Sequence, residues 1–396
     1  MSTVDASALG QLWDADVLGS GHDHDSSKSS FLLLPSVEHP RLVVPNRPHR
    51  AAGVILNALR DKSSFGARAR TIAVRAALAS GVHAVRLPDP GILAVAIEHL
   101  PEAEYVYGVH LGPPRANRKP VLVLATAQGE LVAFVKWGID PLTDRLVRNE
   151  AVALEFVVGL PSVRVPRLLA VGEHESHPYV IQTPVPTQGP TLGDAAAVVA
   201  AQVEVASVDL ASIDHREALE AVAQQWRQRV ATASQSQEDV AAFAGLAMLW
   251  VEQASSESLQ WGSWHGDWRR TNMAVTASGC SIWDWERFAT GVPLGYDALH
   301  LFLTSHAASV HELSSLPADL FDNAARLLHP FGVRERAVAQ VTAAGYLLEL
   351  AGRYLDDNQS QAGARLGSVG VWLLPYLSTQ LAQHGSRQSG RGVGEL

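Results

Sequence analysis

At 396 residues the chain is long enough for two or three units with their own cores, and its 47% hydrophobic and 18% charged fractions exclude a disordered protein. A formal net charge of −9 gives no general attraction to nucleic acid. Cys280 is the only cysteine, which excludes an intrachain disulfide, and residues 1–30 lack the basic start and apolar run of a secretory leader. No apolar run approaches the roughly 20 residues that span a bilayer, so the expectation is a cytoplasmic chain with no membrane or nucleic-acid partner.

Residues 1–30 form a polar flank. Its His22-Asp23-His24-Asp25 cluster has metal-ligand chemistry, but it adjoins Ser26-Ser27-Lys28-Ser29-Ser30 and reads as a solvated, flexible terminus. Residues 31–103 read as an extension of unknown role. Apolar runs at 31–34 and 42–44 look like strands, helical patterns follow at 51–60 and 67–79, and Pro88-Asp89-Pro90-Gly91 closes the segment.

From residue 104 the period changes to two. Strands are predicted at 105–111, 121–126 and 131–137, with Gln128-Gly129 as a tight turn between the last two. A helix at 146–158 and a strand pair at 165–171 and 179–182 complete a unit ending near residue 186. Pro184, Pro186 and Pro190 mark the boundary to a mainly helical unit, 187–382. Its helices are predicted at 195–206, 215–233, 238–255, 296–305, 317–328, 334–358 and 369–381, before a Gly-rich flexible tail at 383–396.

The chemistry concentrates in His265-Gly266-Asp267-Trp268-Arg269-Arg270-Thr271-Asn272 and in Ile282-Trp283-Asp284-Trp285-Glu286. In-line phosphoryl transfer needs a carboxylate to orient and deprotonate a hydroxyl, and oxygen ligands to hold the Mg²⁺ that screens the phosphates. Asp267 suits the first task. Asn272, five residues on, and Asp284, seventeen residues after Asp267, suit the second, because a hard cation takes oxygen donors. Any one of these residues is as readily a surface or capping group; the three at this spacing, behind five short strands, favour chemistry. Lys136 sits in the apolar strand 133–137, where a lysine is costly unless an anion meets it, and Glu150 lies fourteen residues on in the following helix.

The pattern H-x-D-x-x-x-x-N with a later Asp resembles the aminoglycoside phosphotransferase and choline kinase family, over roughly residues 104–380. The resemblance implies an α+β, bilobal, protein-kinase-like fold: a small five-stranded antiparallel N-lobe with one helix, and a larger, mainly helical C-lobe. It further implies ATP or GTP as donor, Mg²⁺, a small hydroxylated acceptor, and a Lys136–Glu150 pair aimed at the α- and β-phosphates. The linker around Gln182 and Val185 would supply backbone groups to the nucleotide base. Trp268 and Arg269 are candidates for the acceptor side, and Arg269 or Arg270 for the transferring phosphoryl group; packing and solvation are their plainer roles. Asp297 falls where family members carry an acid that steadies the catalytic loop.

Three departures qualify the match. Gly266 replaces the Arg of protein-kinase loops, no Ala-Pro-Glu follows Asp284, and no G-x-G-x-x-G joins the first two strands; Arg115 or Lys119 is left to cover the phosphates. The first two favour a small-molecule acceptor over a protein. No acidic run marks a pocket for cationic aminoglycosides, which leaves a sugar or amino alcohol as the expected acceptor. A catalytically silent kinase-like module that binds nucleotide or protein is the alternative. A metal hydrolase built on His265, Asp267 and Asp284 lacks further closely spaced histidines.

Overall fold

The computed structural model describes residues 29–36, 40–58, 84–87, 89–112, 115–187, 195–208, 214–233, 236–277, 279–307, 312–361, 363 and 365–391. The chain divides into two compact units, one of Met1–Glu155 with Pro166–Val185 and the other of Phe156–Val165 with Pro186–Leu396.

The first unit is a fully antiparallel sheet of eight strands, in the order β3-β1-β2-β4-β5-β6-β9-β8. In chain order these are β1 (Ser29–Leu34), β2 (Leu42–Pro45), β3 (Ala84–Leu87), β4 (Tyr105–His110), β5 (Val121–Thr126), β6 (Leu131–Trp137), β8 (Leu168–His174) and β9 (His177–Gln182); β7 lies in the other unit. Helices α1 (His49–Ala58) and α2 (Gly91–Glu98) join them, and α3 (Pro141–Phe156) follows β6. The run of apolar residues in β5 reflects burial of both faces. Leu122 and Leu124 pack with Phe31, Tyr107 and Trp137 on one side, while Val123 and Ala125 pack under Ala51 and Ile55 of α1 on the other.

The five-stranded expectation is therefore corrected to eight. The strands read as part of an extension continue the sheet, because Leu42 and Val43 pair with His110 and Val109 of β4. An edge strand offers unpaired N–H and C=O groups to any extended segment, and such pairing leaves no local signature in sequence. The helix predicted at 67–79 and the His22–Asp25 cluster lie outside the described residues. The turn between the predicted strand pair, now β8 and β9, is tight: Glu175 and Ser176 both take positive φ, 51° and 70°, as a two-residue hairpin turn requires but without the usual glycine.

The second unit is mainly helical: α4 (Ala195–Ala206), α5 (His215–Thr232), α6 (Gln237–Ser255), α7 (Tyr296–Ala307), α8 (Leu316–Leu328), α9 (Arg336–Asp356), α10 (Val369–Trp372) and α11 (Leu374–Arg391). Asp214 caps α5 by accepting from the N–H groups of Arg216 (2.9 Å) and Glu217 (3.1 Å). Helix α9 is buried on nearly all sides from Val338 to Leu355, as a helix at the centre of a core must be. Trp226, Phe243, Trp250 and Trp264 surround it, and the Trp250 indole donates to the Val341 carbonyl at 2.8 Å. The predicted helix at 369–381 is instead two helices, and the second runs to Arg391, into the segment read as a tail. Composition marks the glycines there as breakers, but helical hydrogen bonding continues from the packed turns.

Two small sheets carry the loops of interest. Strand β10 (Trp261–Trp264) pairs with β13 (Ala289–Pro293). Strand β11 (Met273–Thr276) forms a hairpin with β12 (Gly279–Ile282), which also runs parallel to the short β7 (Val163–Arg164). Among the described residues no helix is long and apolar enough to cross a membrane.

Candidate active site

Residues 265–272 bridge β10 and β11, and the β11–β12 hairpin determines what meets there. Met273 opposes Ile282 at its open end, so Asn272 and Trp283 are the first residues beyond the ladder; the Trp283 N–H donates to the Asn272 carbonyl at 3.1 Å. The hairpin thus brings the sequence around Asp284 back to Asn272, giving physical content to the seventeen-residue spacing. Asp284 itself has φ 72°, a left-handed conformation that costs about 1–2 kcal/mol in a non-glycine residue and clusters at functional sites.

Within the loop, Asn272 Nδ2 donates to both the carbonyl (3.0 Å) and Oδ2 (2.9 Å) of Asp267. The amide nitrogen is committed to bracing Asp267, which leaves Asn272 Oδ1, touched by the Thr271 hydroxyl at 3.3 Å, as the atom with capacity for a cation. Asp267 Oδ1 forms an ion pair with Arg269, through Nε at 2.8 Å and Nη2, and lies 3.2 Å from His300 Nε2. Burial opposes charge on Asp267, but Arg269 and His300 outweigh it and hold the carboxyl well below the usual range.

The loop is clamped from outside. The N–H groups of His265 and Gly266 donate to Asp297 at 2.7 and 3.2 Å. Burial raises the Asp297 carboxyl to about 7 against the pull of these two donors. Arg353 Nη1 donates to the Gly266 carbonyl at 2.6 Å while its guanidinium stacks 5.6 Å from the Trp264 ring centre. Gly266 has φ 84°, and a Cβ there would sit 2.0 Å from the Arg287 carbonyl oxygen. Glycine is required by backbone geometry at this position, which accounts for its presence where protein-kinase loops carry Arg. His265 serves the loop: Nδ1 accepts from the Asp267 N–H (3.2 Å), so Nε2 carries the proton and donates to the Trp283 carbonyl (3.1 Å). Burial lowers this imidazole to about 4 and keeps it neutral.

Trp268 is 0% exposed and meets His265 edge-on at 6.0 Å, which favours packing over contact with an acceptor. Sequence reasoning missed His300, Tyr346 and Arg353. They lie on α7 and α9, beyond the motifs, and the only signal was the position of His300 three residues after Asp297.

In the other unit, Lys136 Nζ contacts both carboxylate oxygens of Glu150, at 2.6 and 2.8 Å, with Lys136 7% and Glu150 0% exposed. Gln182 Nε2 reaches Glu150 Oε1 at 3.4 Å, so its side chain belongs to this cluster. Val185 is half-buried at the end of the unit. The β4–β5 loop lacks phosphate-binding glycines; the Leu111 and Gly112 N–H groups donate to the Arg41 carbonyl, and Arg118 Nε donates to the Leu111 carbonyl at 2.8 Å. Arg115 is exposed.

Comparison with known proteins supplies the class. The family model described as "Phosphotransferase enzyme family" matches residues 123–337, more than half of the chain, from within β5 to the start of α9. The chain belongs to this family of phosphotransferase enzymes. No curated protein matches it. Solved structures similar to it include the aminoglycoside phosphotransferase APH(4)-Ia, at 15% identity over 74% of this chain and 97% of that one, with a TM-score of 0.45. A choline/ethanolamine kinase family protein from Mesorhizobium loti is 16% identical over 66% of this chain and 88% of that one, TM-score 0.42. A fructosamine-3-kinase, so described from Haemophilus somnus, is 14% identical over 67% and 88%, TM-score 0.40.

Proposed function

We propose that the enzyme transfers the terminal phosphoryl group of ATP or GTP to a hydroxyl of a small metabolite such as a sugar or amino alcohol. The observation that carries this reading is the Asp267–Asn272 hydrogen bond within the family-matched segment, because it orients a carboxylate for a proton and an amide oxygen for a cation at once. In the proposed step the acceptor oxygen bonds to the terminal phosphorus, the bridging oxygen leaves with the nucleoside diphosphate, and the acceptor proton passes to Asp267.

Asn272 Oδ1 and the Asp284 carboxylate have the donor chemistry to hold Mg²⁺, which when bound supplies positive charge to the phosphates. Arg269, now paired with Asp267, is the cation nearest the base and suits the charge on a transferring phosphoryl group. Lys136, held by Glu150, is assigned to the nucleotide phosphates.

A silent, nucleotide-binding module is the second reading, favoured by the β4–β5 loop with no glycine-rich cradle. Incubation with Mg·ATP and a panel of sugars, amino alcohols and aminocyclitols separates the two. Phosphorylated product that disappears in Asp267→Asn supports the enzyme; stabilisation by nucleotide with no product from any acceptor supports the module.

A further inference from the structure

Asp267 is assigned above as the base, and the following rests on that reading. Helices α7 and α9 place a second pair of polar side chains behind it, where none is needed for folding a helical core. His300 is 1% exposed and Tyr346 is 0% exposed. His300 Nε2 lies 3.2 Å from Asp267 Oδ1, and His300 Nδ1 lies 3.0 Å from the Tyr346 hydroxyl.

Proton bookkeeping fixes every donor in this line. An ionised carboxylate only accepts, so Nε2 carries the imidazole proton. Nδ1 then has a lone pair, and the Tyr346 O–H donates to it. Burial lowers the imidazole to about 4, which agrees with a single ring proton. The line therefore runs from Tyr346 O–H to Nδ1 and from Nε2–H to Oδ1. With Arg269 on the same oxygen, Oδ1 is saturated, whereas Oδ2 accepts from Asn272 Nδ2 and keeps a second lone pair.

We infer that His300 is a positioning residue for the phosphoryl-transfer base: it pins Asp267 Oδ1, with Tyr346 fixing its tautomer, so that Oδ2 is the oxygen that receives the acceptor hydroxyl. A group buried for stability alone would be better replaced by a hydrocarbon of the same shape, since each polar atom here must find a partner away from water. Holding a carboxylate within a fraction of an ångström is what this arrangement adds, and misplacement by about 1 Å is enough to cost roughly 100-fold in rate.

The test uses the full chain with Mg·ATP and whichever acceptor is turned over, and compares five variants. His300→Leu is expected to lower kcat by about 10- to 100-fold with KM for ATP and acceptor within about twofold. His300→Gln, whose amide nitrogen replaces Nε2–H, is expected to restore kcat to within about tenfold of wild type. Tyr346→Phe lowers kcat in the wild-type background and adds nothing to His300→Leu, because it acts through the imidazole. Nitrogen NMR of the labelled histidines is expected to show His300 protonated at Nε2, and this signature needs no turnover. Protonation at Nδ1, equal kcat in Leu and Gln variants, or additive effects of the two positions would overturn the inference while Asp267→Asn remained inactive. If Asp267→Asn keeps full activity, the base assignment fails and the inference fails with it.

Discussion

Replacing His300 with Gln makes a prediction about stability that is independent of catalysis. The imidazole is buried and lowered from 6.5 to about 4, so the unfolded chain binds a proton at a pH where the folded chain does not. Stability is then full above the unfolded value and falls as pH drops through the window from 6.5 toward 4. Between about pH 7.5 and about pH 5, one such group removes about 2 kcal/mol. His265, lowered equally by burial, removes a similar amount. Asp297, raised to about 7, acts in the opposite sense: its folded carboxyl holds a proton that the unfolded chain has released, so stability rises as pH falls.

Total stability therefore mixes signs, but a comparison of wild type with His300→Gln cancels the terms they share. Urea unfolding at the two pH values is the assay. The stability gap between the two proteins is expected to shrink by about 2 kcal/mol at the lower pH, because only wild type loses the histidine contribution. A gap that is the same at both pH values would refute the buried neutral imidazole.

Other substitutions probe the site from different directions. Lys136→Met strands Glu150 as an uncompensated buried charge and is expected to cost about 3–5 kcal/mol in urea unfolding; the Lys136→Met/Glu150→Met double variant should recover most of it. Gly266→Ala must move the Arg287 carbonyl and adopt a left-handed φ, so a loss of at least about 2 kcal/mol is expected together with reduced kcat, checked by melting temperature and turnover. Trp268→Phe preserves packing and removes an indole N–H that has no partner among the described residues, so acceptor KM is expected to stay within about twofold; a large rise would return Trp268 to the acceptor side.

Sequence made the motif loops legible because their chemistry is local. Asp267 and Asn272 share one loop, and Asp284 lies only twelve residues beyond Asn272. Lys136 and Glu150 were found for a related reason, a charged residue in an apolar strand and an acid on the next helix. The helices from α4 to α9 were visible in their periodicity to within a few residues. What escaped depends on long-range pairing. Strands β1 to β3 join the sheet through β4, and no residue in them announces that partner. His300, Tyr346 and Arg353 converge on the loop across 33 to 87 residues of sequence, as side chains of helices whose patterns signal only packing. The burial of Trp268 escaped for the opposite reason: an aromatic beside a catalytic loop reads the same whether it faces ligand or core.

Transfer of labelled γ-phosphate from ATP to a hydroxylated acceptor, measured in single turnover with wild type and Asp267→Asn of matched melting temperature, tests the assigned chemistry most directly. Label should move to the acceptor only with Mg²⁺ present, and Asp267→Asn should slow transfer by orders of magnitude while still binding nucleotide. Equal transfer by the two proteins, or transfer that persists when Mg²⁺ is chelated, would contradict the roles given to Asp267, Asn272 and Asp284.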